Sequence, residues 1–221
     1  MKKLIISDLD GTMYSKKTTY FLQVRQNIKK TVSEYLKRLG PELDSGLTYS
    51  KLPKSFPNVL DLCHTVDIPV STFAEVYTNI NIQNVKNDQR LGELIKKTEA
   101  SIWIVTYAPA TYTLAICKKL GVDRSISGIF SLENFENEIG YPYKKIIAYE
   151  KIIKSVGADD RTIFVIGDTW DVDIKDAHLQ NLKTILISEL TLSLVKTPSG
   201  IVLAPNIYEG LKYVCKYETG H

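Results

Sequence analysis

The sequence contains no uncharged apolar run long enough to cross a bilayer, so no membrane span and no membrane partner are expected. It has only three cysteines, Cys63, Cys117 and Cys215. An odd number without metal-type spacing gives no support to a disulfide framework or a thiolate zinc site and suits a reducing, cytoplasmic setting. Lysine and arginine form no block interleaved with aromatics, and a net charge of +3 is too small to argue for a nucleic-acid partner. The opening MKKLIISDLDG carries two lysines, but acidic residues arrive where a secretory leader needs its longer apolar stretch, so no targeting segment is read there. Internal repeats and low-complexity tracts are also missing. What is left is an ordinary globular composition, 44% hydrophobic and 24% charged, spread over 221 residues. That length exceeds one compact core of about 100–150 residues and falls short of two full domains, so a single core with an insert is expected.

Along the chain, Lys3 to Ser7 is a short apolar run that ends in Asp-Leu-Asp-Gly-Thr, as a buried strand does when it delivers polar groups to a loop. Residues 20–39 place Phe21, Val24, Ile28, Val32, Tyr35, Leu36 and Leu39 at helical spacing, with Gly40-Pro41 as the stop signal. Leu43 to Ile68 is rich in turn formers with a short helix near Val59–His64, and Ser71–Tyr77 and Asp88–Lys97 read as helices. The stretch 15–96 is therefore a helical module, and it is the basic part of the chain, with 12 Lys/Arg against 8 Asp/Glu.

After Ala100 the pattern changes to strands alternating with helices. The apolar run at Ser101–Pro109 and the segments Ile126–Phe130, Thr162–Ile166 and Thr184–Ile187 read as strands. Ala110–Leu120, closed by Gly121, Lys144–Val156, closed by Gly157, and Asp173–Gln180 read as helices, and Ile201–Leu203 with Ile207–Lys216 would end the fold. This alternation predicts an α/β fold, a doubly wound parallel sheet of Rossmann type, built from residues 1–14 and 97–221. The module 15–96 would be an insertion after the first strand, at the carboxyl edge of the sheet where open α/β folds bind ligands.

Three strand ends bring polar groups to that edge: Asp8 and Asp10 after the first, Thr106 after the second, and Asp168, Asp171 and Asp173 after the Val-Ile-Gly run. Converging carboxylates repel and raise one another's pKa, so their coexistence argues for a divalent cation, and an oxygen-only donor set points to Mg²⁺.

DLDGTMY, IVTYAP, a lysine-bearing segment and IGDTWDVDIKDA, in that order, resemble the four motifs of the haloacid dehalogenase (HAD) superfamily of phosphohydrolases. The resemblance covers residues 1–14 and about 97–188 and implies a HAD core with a small helical cap. It implies that Asp8 is the nucleophile that forms an aspartyl-phosphate. Mg²⁺ would then be shared by the Asp8 carboxylate, the Asp10 main-chain carbonyl and Asp168, with Asp173 holding Asp168 or a metal-bound water. Asp10 would be general acid and then general base, a role that favours phosphate esters, because relatives that cleave carbon–halogen bonds lack this second acid. Thr106 would bind a phosphoryl oxygen, and Gly11, Thr12 and Tyr107 would face the substrate. Tyr14 and Trp170, like Tyr107, follow motif residues and are expected near the mouth of the site.

The third motif departs from the family pattern. The usual lysine followed by proline is replaced by Gly140-Tyr141-Pro142-Tyr143-Lys144-Lys145. Adjacent helical residues face different ways, so only one lysine can point in. Lys144 is taken as the catalytic cation because it lies closer to the expected place, with Lys145 as the alternative on the substrate side. The activity implied is Mg²⁺-dependent hydrolysis of a small soluble phosphate ester, such as a nucleotide, phosphoglycolate or a sugar phosphate. A phosphoryl mutase and a non-catalytic phospho-ligand binder are the competing readings.

Overall fold

The computed structural model describes residues 2–38, 59–65, 67–157 and 161–217. The expected stop at Gly40-Pro41, residue 39 and the turn-rich stretch up to residue 58 lie outside them. Strands β1 (Lys3–Ser7), β2 (Ala100–Val105), β3 (Gly128–Phe130), β4 (Thr162–Gly167), β5 (Lys183–Ile187), β6 (Val195–Lys196) and β7 (Val202–Ala204) form one sheet in the order β3-β2-β1-β4-β5-β7-β6. All neighbours are parallel except β6, which pairs antiparallel with β7. The α/β fold with a parallel sheet is thus present, and the two-residue β6 is an edge strand the sequence reading lacked.

Central strands in such a sheet are covered on both faces, which is why they are apolar without alternation. Leu4, Ile5 and Ile6 of β1 and Phe164, Val165 and Ile166 of β4 are all fully buried. β1 pairs with β2 on one side and β4 on the other, so the chain reverses its direction of travel across the sheet at β1. Open α/β sheets form a crevice at the carboxyl end of such a switch point. Asp8, the residue after β1, stands there.

Helix α1 (Thr19–Arg38) buries Val24, Ile28 and Val32 along one stripe and packs on α3 (Val70–Glu75), which also contacts α2 (Val59–Thr65). Asn27 donates to the Val76 carbonyl (3.0 Å) and Tyr35 to the Asp67 carbonyl (2.7 Å), tying the three helices together. Helix α4 (Gln89–Lys97), which the sequence reading placed in the insert, packs instead on α5 (Ala110–Leu120) and α9 (Ile207–Lys216). The reason is topological, since parallel β1 and β2 need a crossover connection, and α4 is the helix of that connection that leads into β2. Asp88 caps α4 by accepting from the Leu91 amide (2.9 Å), while its own amide donates to the Leu120 carbonyl (3.0 Å).

Helix α6 (Leu132–Asn134), which follows β3, continues as a π-type turn over Phe135–Ile139. Helix α7 spans Lys145–Ser155, with Lys144 as its N-cap. After β4 the expected helix begins as a second π-type turn, Trp170–Ile174, before α8 (Lys175–Leu179). Among the described residues, no helix is long and apolar enough to cross a membrane.

Candidate active site

The ends of β1 and β4 and the start of α7 bring four charged side chains together. Lys145 is almost fully buried, and its Nζ lies 2.5 Å from Asp8 Oδ1 and 2.8 Å from Asp173 Oδ1. Thr12 donates its hydroxyl to the other Asp8 oxygen, Oδ2 (3.1 Å), so both carboxylate oxygens are oriented. The Asp173 carboxylate is fixed at its second oxygen by the Thr169 amide (3.0 Å), and its own amide returns to the Thr169 carbonyl (2.8 Å). The π-type turn curls Asp173 back over β4. At Gly167 a β-carbon would lie 2.3 Å from the Asp173 β-carbon, so only glycine admits this close approach.

One carboxylate oxygen from each of Asp8, Asp168 and Asp173 lies within 4.8 Å of the others. The Asp10 side chain stands outside that trio and accepts a hydrogen bond from the Tyr14 hydroxyl. Lys16 pairs with Asp168, whose side chain is only 7% exposed, and Gly11 backs onto the same carboxylate.

The electrostatics follow from this crowding. Burial pushes the Asp8 carboxyl well above its ordinary value; Lys145 opposes the shift, while Asp173, Asp168 and Asp10 add to it. Burial likewise raises Asp10 to about 7, against Lys145 and with Asp168. Asp168 is raised too, first by burial and then by Asp173, with Lys16 opposing. Burial works against the Lys145 charge, but Asp173 and Asp8 outweigh it and keep the ammonium protonated. Lys145 and Lys16 thus face four acids, and the cluster lacks positive charge. A hard divalent cation with short oxygen bonds fits this all-oxygen donor set and would supply the missing charge.

No family model matches the chain, and no curated protein matches its sequence. Solved structures do match in shape. A HAD phosphatase from Thermococcus onnurineus aligns over 96% of this chain and 97% of its own, with a TM-score of 0.51 at 16% identity. The HAD-hydrolase YfnB of Bacillus subtilis, in a structure bound to magnesium, aligns over 96% and 98%, with a TM-score of 0.54 at 15% identity. An L-2-haloacid dehalogenase from Xanthobacter autotrophicus, with chloropropionic acid covalently bound, covers 99% of this chain and 100% of its own at 0.54 and 9% identity.

The chain has the HAD fold.

In this HAD core the predicted residues fall into two groups. Asp8, Asp10, Asp168 and Asp173 converge, and Thr106 is buried at the end of β2, its hydroxyl oxygen accepting from the Ala108 amide (3.1 Å). The lysine choice is corrected: Lys145 reaches Asp8, whereas Lys144 is exposed and lies 3.9 Å from Asp176. The N-cap residue precedes the first helical turn, so its side chain leaves the axis in a different direction from that of the next residue.

Tyr107 also departs from expectation. Its hydroxyl donates to the Tyr143 carbonyl and its ring lies 5.2 Å below the Lys145 ammonium, so it supports the lysine rather than opening toward a substrate. Thr12 sits behind Asp8 and orients it, and Gly11 faces Asp168 rather than open space. Tyr14 is buried against Tyr20, their centroids 4.7 Å apart. Trp170 is partly exposed beside His178, and Asp171 is exposed and 3.8 Å from Lys175. The sequence reading did not single out Lys16. Its only signal was its nearness to the first motif.

Proposed function

We propose that the protein is a divalent-metal-dependent phosphomonoesterase that works through an aspartyl-phosphate on a small ester. The observation that carries this reading is Asp8 itself, a nucleophile-type carboxylate at the switch point, held on one oxygen by Lys145 and on the other by Thr12. Its neighbour in shape from Thermococcus is named a phosphatase, but the dehalogenase shares the fold equally well, so the fold does not choose the chemistry. Asp10 supports the ester, because a second carboxyl beside the nucleophile can protonate a leaving alkoxide, a proton that a leaving halide does not need.

Asp8, Asp168 and Asp173, with the Asp10 main-chain carbonyl, would hold Mg²⁺, which supplies charge neutralisation for the phosphoryl group. This chain's own groups do the rest. Asp8 attacks phosphorus, and Lys145 neutralises the nucleophile and the phosphoryl oxygens. Thr106 donates to one of those oxygens. Asp10 protonates the departing alcohol and later takes the proton of the water that hydrolyses the intermediate.

Helices α1 to α3, within the module 15–96, would act as the cap. Tyr77, just beyond α3, lies 4.9 Å from Tyr112 of the core, and the Asp61 carboxylate of α2 accepts from the Tyr143 amide (3.3 Å). A cover tied down this close to the cluster favours a nucleotide, phosphoglycolate or sugar phosphate over a folded phosphoprotein. The test is phosphate release from a panel of such esters, with Mg²⁺ and with chelator, for the native protein beside Asp8→Asn. Metal-dependent turnover that the substitution abolishes is expected. Release from no ester by folded, Mg²⁺-supplied protein would overturn the reading.

A further inference from the structure

We propose that Tyr14 is a positioning residue for Asp10, fixing one carboxyl oxygen so that the other transfers the proton to and from the reacting oxygen. The inference rests on the phosphatase reading above. Its basis is a run of contacts within and around the turn that follows Asp8. Asp10 and Tyr14 form a backbone bridge, which folds the Tyr14 side chain back toward the acid, and its hydroxyl donates to Asp10 Oδ1. Asp10 Oδ2 accepts from no described residue.

The Tyr14 ring has no freedom to leave. It is buried, packs on Tyr20, and places its hydroxyl 3.2 Å from that of Tyr112. Each phenol has one proton. Because the Tyr14 proton is given to Asp10, Tyr112 must donate to the Tyr14 oxygen, and the order is Tyr112 to Tyr14 to Asp10. Tyr112 is in turn buried against Tyr77. Two hydroxyls buried in an apolar cluster are costly unless they are satisfied, and this one chain satisfies both.

An unpinned carboxyl turns about its last torsion and presents either oxygen. Pinning Oδ1 leaves Oδ2 as the proton carrier and removes that reorganisation from the reaction. In the first half-reaction an Asp8 oxygen bonds to phosphorus, and the phosphorus–oxygen bond to the alcohol breaks. Its electron pair stays on that oxygen, which takes the Oδ2 proton. In the second, water bonds to phosphorus and gives a proton to Oδ2 as the Asp8–phosphorus bond breaks, which restores the carboxylate.

The experiment compares kcat/KM of the native protein and Tyr14→Phe on an alkyl ester, glycerol 3-phosphate, and on p-nitrophenyl phosphate. This parameter covers only the steps through alcohol release. General acid help is large for an alkoxide and dispensable for nitrophenolate. Tyr14→Phe should therefore lower kcat/KM about 30-fold or more on the alkyl ester and within about 3-fold on the aryl one. The aryl kcat should also fall, because hydrolysis of the intermediate uses Asp10 as base. Tyr112→Phe, which spares the hydroxyl next to the acid, should show the same leaving-group bias at smaller size, about 2- to 5-fold, and it carries the test should Tyr14→Phe not fold. Equal losses on both esters, or no loss on either, would leave Tyr14 a packing residue and overturn the assignment while the phosphatase reading stands. A folded, Mg²⁺-supplied native protein inactive on these two and on every ester of the panel above would overturn the two together.

Discussion

Lys145 and Lys144 are chemically identical neighbours, yet one is buried between two carboxylates and the other is exposed near Asp176. Lys145→Met should cut turnover by about 100-fold or more, because a desolvated charge at the nucleophile is removed, whereas Lys144→Met should stay within about 2-fold. Steady-state rates on one reactive ester decide this. Asp10 gives a pH prediction for the metal-free protein. Its carboxyl is raised mainly by burial to about 7 from an ordinary value of 3.8. Between these values the folded state keeps a proton that the unfolded chain has released, so stability falls as pH rises. This contribution is complete below about 4 and lost as pH passes through 7. Asp8 and Asp168 shift in the same direction. Melting temperatures in chelator should therefore decline between pH 5 and 8, and Asp10→Asn should lessen the decline. An unchanged slope in the variant would show that Asp10 is not the group involved. The carboxylates could be read from the sequence because each follows an apolar strand. The lysine could not, because the choice between adjacent residues depends on where the helix begins.

At the scale of elements, two turns set the site and its support. Helix α5 ends at Gly121 with φ at 76°, and a β-carbon there would lie 2.3 Å from Asn87 Nδ2, in the segment leading to α4. Gly121→Ala should cost about 1–3 kcal/mol in urea unfolding through the left-handed backbone and this crowding, with kcat of the folded fraction unchanged. Gly167→Ala should act differently. Its β-carbon would meet Asp173, which holds Lys145, so activity should drop along with stability. A Gly167→Ala protein of full activity would show that Asp173 tolerates displacement. The strands and most helices were legible as apolar runs and 3.6-residue stripes with glycine stops. The π-type turn over Trp170–Ile174 was not, since its sequence carries the same periodicity as the helix it enters.

The molecule as a whole brings residues 8, 106, 145 and 168 to one edge, because β1 lies between β2 and β4 and the chain reverses direction across the sheet there. Binding to the folded state alone raises stability, so Mg²⁺ should raise the melting temperature of the native protein and much less that of Asp168→Asn. Equal shifts in both would place the ion elsewhere. Among the esters, small phosphates should be cleaved at least about 10-fold faster than a phosphopeptide if α1 to α3 restrict entry. The sequence by itself determined the parallel α/β class, the acids and their order, because burial on both faces demands apolar strands and strand ends deliver polar groups in chain order. Tertiary structure alone decided that α4 packs on α5 and α9, that Lys145 rather than Lys144 meets Asp8, and that Tyr14 meets Asp10. Each of these depends on the direction in which a side chain or a helix face points once distant segments pack, and local periodicity does not encode that direction.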